Sequence, residues 1–237
     1  MTKMLLVLTF LTSLVTVRAQ SRSELTVYQK LTSTNVSLAA SAMDGVLKNA
    51  PEYSGAALFI ASGVAFREHR IEDAGFLFYV AKFRAEFDIA LFPPTGTGSN
   101  NPMVAFGALN QELGSSINPA VMAEPKVFAR ILARVKTWSP VLAPNYDPGW
   151  PFAKKGDEKQ ARAALQAEIK NFMGGMGGLC TLLQDSRYFA AFKVMQAYNL
   201  HNGATQPSQE AYDGAVQTIL AIEKEKGIQA FTPVLKK

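Results

Sequence analysis

Apolar residues in this chain recur at intervals of three and four, the spacing that lines one face of a helix, and proline, glycine and asparagine cut the runs apart. Leu38, Ala42, Val46 and Leu47 predict a helix over 37–48, with Ser37 able to cap it and Pro51 ending it. Ser54 can cap a second helix, in which Leu58, Ala61, Ala65 and Phe66 run towards Arg70. A third follows almost at once. Glu72 and Asp73 favour its positive end, and Ala74, Leu77, Phe78, Ala81, Phe83 and Phe87 carry it to about Ala90. So short a link forces these two helices into an antiparallel hairpin.

The run 92–101, with Pro93, Pro94, Gly96 and Gly98, reads as a polar loop. Pro102 suits the first turn of the next helix, which Met103, Phe106, Leu109 and Leu113 carry to an expected stop at Gly114. Another helix starts near Glu124 and Pro125 and runs through Val127, Ile131, Leu132, Val135 and Trp138. Residues 139–156 then hold Pro140, Pro144, Pro148 and Pro151, interleaved with Tyr146, Trp150 and Phe152; a structureless link of that length is uncommon in a compact domain. Asp157 and Glu158 open a helix with Ala161, Leu165, Ile169 and Phe172 on one face, which the glycines of 174–178 are expected to interrupt before it resumes into Leu183. Ser186 and Ser208 can cap two final helices, the last closed by Gly227. No alternating pattern around a tight turn predicts a β-hairpin. The expected fold is all-α, a single-domain bundle of antiparallel helices over 20–237.

Composition adds a core and removes cross-links. Of 237 residues 48% are hydrophobic, enough for a sizeable interior, and the single cysteine, Cys180, rules out an intramolecular disulfide. The apolar neighbours of Cys180 suggest a buried, inert thiol. At the N-terminus, Lys3, an apolar run over 4–17 and Val17-Arg18-Ala19 have the order of a secretory signal peptide, with mature protein expected from Gln20. The run is shorter than the roughly 20 apolar residues a bilayer core demands, so no stable span is expected after cleavage; an uncleaved anchor is the other reading. Formal charge is +5, and losing Lys3 and Arg18 would leave +3. The basic residues are dispersed among acids, without the stripe that nucleic acid requires.

Leu58, Ala61, Ser62 and Ala65, followed by Ala74, Phe78 and Ala81, resemble one helix pair of the tetratricopeptide or Sel1-like repeat, although Glu86 stands where that repeat usually has proline and no second copy follows. More broadly, the run 73–84, then 113–118 and 138–150, looks like exported helical proteins of Gram-negative bacteria to which no reaction is assigned. That resemblance implies a periplasmic setting and a helix-rich fold, and carries no catalytic residue onto this chain.

Candidate chemistry is sparse. His69 lies among Glu68, Glu72 and Asp73, but Arg67 and Arg70 compete for those carboxylates and the positions do not share one helical face, so a solvated helix end is the reading. His201 reads as a helix C-terminal residue. No nucleophile elbow, phosphate loop, metal-ligand spacing or cofactor motif is present. Gly174-Gly175-Met176-Gly177-Gly178 can act as a hinge or as a close helix contact. The best candidate surface is the proline/aromatic segment, with Tyr146, Asp147, Trp150 and Phe152 as binding residues, because rigid turns presenting Tyr and Trp suit protein interfaces. The competing expectation is that Trp150 and Phe152 tuck into the core. These features point to a periplasmic, non-enzymatic interaction module with a protein partner, such as an immunity or adaptor protein. The alternatives are a hydrolase whose carboxylates (Glu68, Glu72, Asp73 or Glu86) converge in space, and an apolar-ligand binder walled by the Phe-rich helix over 76–87.

Overall fold

A computed structural model describes residues 22–98, 101–144, 146–199 and 206–230. The expected signal segment 1–19 and His201 lie outside the described residues. Within them, nine α-helices pack against one another: α1 (Arg22–Leu31), α2 (Val36–Lys48), α3 (Gly55–Arg67), α4 (Ile71–Leu91), α5 (Pro102–Met122), α6 (Pro125–Lys136), α7 (Glu158–Leu183), α8 (Ser186–Asn199) and α9 (Gln209–Lys226). A 3-10 turn, Ala50–Glu52, links α2 to α3. The fold is all-helical, as the apolar spacing predicts.

The axis of the bundle is α4. It forms the expected hairpin with α3 and also packs against α5, α6 and α7. A helix covered on several sides needs apolar residues around much of its circumference, and α4 buries Phe76, Leu77, Phe78, Tyr79, Val80, Phe83 and Phe87 in different directions. Phe78 meets Phe59 of α3 edge-on at 5.9 Å, and Phe83 meets Phe172 of α7 at 5.2 Å. Close approach also needs missing side chains. A Cβ on Gly75 would stand 2.6 Å from Ile131 and 2.7 Å from Val121, so glycine at this position lets α5 and α6 close on α4.

The hairpin link closes with two hydrogen bonds: Arg70 N–H donates to the Ala65 carbonyl and His69 N–H to that of Phe66. This is the Schellman pattern, and it places His69 in the left-handed region, φ 57°, where glycine is the usual occupant. The histidine therefore ends a helix, as its sequence setting suggests.

Several boundaries differ from expectation for local reasons. Asn35, two residues before the expected cap Ser37, caps α2 by accepting from Leu38 N–H. Gly114 does not stop α5: it is buried against Phe78, and the helix continues through Ile117 and Val121 to Met122. Likewise 174–178 does not interrupt α7, which is continuous because Leu165, Ile169, Cys180, Leu182 and Leu183 bury it on both sides of the glycines. At the N-terminus of α8, Asp185 rather than Ser186 supplies a side-chain acceptor, to Arg187 N–H. The caps Ser54, Asp157 and Ser208, and the Gly227 stop, stand where the sequence places them. Among the described residues no helix is long and apolar enough to cross a membrane.

Candidate functional site

Between α6 and α7 the chain runs without regular structure along one end of the α3–α4 hairpin. This strap, described over residues 137–144 and 146–157, carries all four candidate residues. A strap of this kind has buried backbone carbonyls and no ladder to satisfy them, so donors must come from elsewhere. Arg84 supplies them. Its Nη1 donates to the carbonyls of Pro51 (2.9 Å) and Val141 (3.2 Å), while its Nε donates to both oxygens of Asp88, one turn later on α4, at 2.9 and 3.0 Å. Arg84 and Asp88 are 0% and 1% exposed.

Tyr146 completes the cluster. Its hydroxyl donates to Asp88 Oδ2 at 2.5 Å, and its ring lies 4.4 Å from the Arg84 guanidinium carbon. Burial pushes the Asp88 carboxyl up to about 6, against the pull of Arg84 and Tyr146. Burial, and then the Asp88 carboxylate, raise the Tyr146 hydroxyl well above its ordinary value. Burial works against the Arg84 cation, yet Asp88 and Tyr146 hold it above its normal value. The three side chains thus form an internal clamp that fixes the middle of the strap.

Further along, Asp147 Oδ1 accepts from Gly149 N–H at 2.8 Å, closing a turn in which Gly149 takes φ 91°, a conformation that favours glycine. The turn aims Trp150 inwards. Half-buried, it donates from Nε1 to the Phe92 carbonyl at 2.8 Å and stands edge-on to Phe106 at 5.9 Å. Pro151 then accepts from Thr95 N–H, forming an isolated antiparallel bridge between Pro94 and Phe152. Phe152 touches Phe92 at 4.9 Å but remains 37% exposed, and Val141, earlier on the strap, is 50% exposed. The structure therefore divides the aromatic candidates: Tyr146 and Trp150 are anchors, Asp147 shapes the turn, and Phe152 is partly displayed.

Under the strap lies a half-open cleft of about 230 Å³, with Phe92, Leu142, Tyr146, Phe152 and Lys155 in its lining. Sequence reasoning missed Arg84, Asp88 and Lys155. The signal for the first two was present. Leu77, Ala81, Arg84, Asp88 and Leu91 follow three- and four-residue spacing, so the two charges sit on an otherwise apolar stripe, as a buried ion pair must.

The other candidate groups lie elsewhere. Glu72 pairs with Arg130 at 2.7 Å, and Asp73 with Arg70 at 2.8 Å and Arg134 at 3.3 Å, at the start of α4. Glu86 sits four turns further along that helix, beside a second cleft of about 210 Å³ between α4 and α7; burial and the facing Glu168 raise its carboxyl. The Phe-rich stretch of α4 packs into the core. Cys180 is buried, and burial pushes its thiol up. Among the described residues no group of His, Cys, Asp and Glu is arranged to hold a metal ion.

Fold and site together describe a helical bundle with one pinned, partly displayed strap. No family model, no curated protein and no solved structure matches the chain.

Proposed function

We propose that this chain is an exported, non-enzymatic protein-interaction module, of the immunity or adaptor kind, and that the strap is its docking surface. The observation that carries the reading is the division of labour along the strap. Tyr146 and Trp150 are spent on holding it to the body, while Val141 and Phe152 stay exposed on a backbone already fixed. A preorganised apolar surface loses little conformational entropy on docking, which is where much of the free energy of a flexible loop would go. Neither anchor nor display requires a reacting group. The periplasmic setting rests on the order of residues in 1–19 and on the resemblance to exported helical proteins.

Capture experiments test the reading. Wild-type protein and a Val141→Asp/Phe152→Asp variant are used as bait against the exported proteins of the source cell, with Gln217→Asp on α9 as control. A discrete partner held by wild type and the control but lost by the strap variant is the expected result. A partner retained by all three baits overturns the assignment of the strap.

A further inference from the structure

The cleft under the strap carries enough chemistry to specify what the partner presents. Its walls combine aromatic rings with about as much polar as apolar surface. Phe92 lies between Phe152 (4.9 Å) and Tyr146 (5.8 Å), with Leu142 also in the lining. At its rim the Lys155 ammonium stands 5.8 Å over the Phe92 ring. That cation is loosely held. Its ion pair with Glu158 is 3.7 Å long, and the same Glu158 carboxylate already accepts from Arg162 at 2.7 and 3.0 Å. The remaining acids of the strap and its floor are engaged by this chain's own donors: Asp88 by Arg84 and Tyr146, Asp147 by Gly149 N–H, and Asp157 by Gln160 N–H. Lys155, half-exposed and next to Lys154, is therefore a positive charge open to an outside carboxylate.

The distances set a spacing. In an extended segment alternate side chains point the same way, about 6.6 Å apart at a rise of about 3.3 Å per residue. Lys155 Nζ stands 5.8 Å from the Phe92 ring, so an apolar group and an anion at alternate positions of one extended segment can reach the aromatic wall and the cation together. A cleft of about 230 Å³ accommodates one side chain of leucine or phenylalanine size. Resting on the strap reading, we propose that the cleft binds an extended peptide segment of the partner with an apolar side chain two positions from a carboxylate. The apolar group enters beside Phe92, Leu142 and Phe152, and the carboxylate meets Lys155.

The probe is the peptide N-acetyl-Phe-Ser-Asp-amide, titrated into the full chain and followed by backbone amide shifts. Expected are shifts at Leu142, Phe152 and Lys155, with millimolar affinity for so small a ligand. The Asn version should bind about threefold to fivefold more weakly, the effect of one half-exposed ion pair. Lys155→Gln should abolish that difference and leave affinity for the Asn peptide unchanged, which a merely damaged fold would not do. N-acetyl-Ala-Ser-Asp-amide should not bind. Equal affinity for the Asp and Asn peptides, absence of shifts in the cleft, or 3-phenylpropionate binding as tightly as the peptide overturns the proposal. The two readings fail separately: in capture, a partner lost with Phe152→Asp but indifferent to Lys155→Gln keeps the strap as docking surface and removes only the acidic specificity, whereas a partner retained by the Val141→Asp/Phe152→Asp variant overturns the strap itself.

Discussion

Arg84 Nε stands 2.9 Å from Asp88 Oδ2 inside α4, with neither side chain reaching solvent. Removing one partner of a buried pair leaves an uncompensated charge, so Asp88→Ala should destabilise the protein by about 3–5 kcal/mol. Asp88→Asn keeps an acceptor for Arg84 and Tyr146 and should cost less. Replacing both charges with apolar residues should not restore full stability here, because the carbonyls of Pro51 and Val141 lose their donor as well. Urea midpoints of the three variants, with slopes compared, check the order.

The same carboxyl sets a pH dependence. Its folded value, about 6, lies above its ordinary value of 3.8, so folding favours the protonated form. The contribution of Asp88 to stability is therefore fully present below 3.8, falls as pH rises towards about 6, and is flat above. Asp88→Asn should remove this component. The difference in unfolding free energy between wild type and Asp88→Asn, followed from pH 4 to pH 8, should change in that window with wild type relatively more stable at the acid end.

Anchors and display should separate by stability. Trp150→Ala removes a half-buried ring and its hydrogen bond to Phe92, an expected loss of about 2–4 kcal/mol. Tyr146→Phe removes a hydrogen bond to a buried carboxylate, about 1.5–3 kcal/mol. Phe152→Ala, at a partly exposed position, should cost about 1 kcal/mol or less. Chemical denaturation reads all three before any partner is known.

Glycines of similar appearance in sequence should respond oppositely. A Cβ at Gly174, Gly175 or Gly177 meets nothing within 4 Å, so each change to alanine should stabilise α7 by up to about 1 kcal/mol. Gly75→Ala places its methyl against Ile131 and Val121 and should destabilise by about 1–3 kcal/mol despite the better helix propensity. At His69 the sign reverses again: His69→Gly should gain about 1 kcal/mol, since the left-handed C-terminal position favours glycine. Thermal melts of the single variants test each sign.

These contrasts show what the sequence could reveal. Helices with a clear apolar stripe and a capping side chain, such as the one from Ser208 to Gly227, were legible because every determinant is local. Gly114 and 174–178 misled because propensity disfavours helix there and only packing, by Phe78 in one case and by residues on either side in the other, overrides it. The α1 helix went unnoticed: what fixes it is long-range, Tyr28 hydroxyl to Ser54 Oγ at 2.7 Å and Ser54 N–H to Glu24 at 3.1 Å. In the site, the proline/aromatic run marked the strap, but nothing local tells an inward Trp150 from an outward Phe152. That choice depends on the carbonyl of Phe92, 58 positions away from Trp150.

The most direct test of the account places a photo-crosslinking benzoylphenylalanine at Val141, Phe152 or, as control, Gln217 in the full-length protein expressed in its source cell. Crosslinks from Val141 and Phe152 to the same single protein, with none from Gln217, are the result expected of a docking strap. Crosslinks confined to Gln217, or indifferent to position, would contradict it.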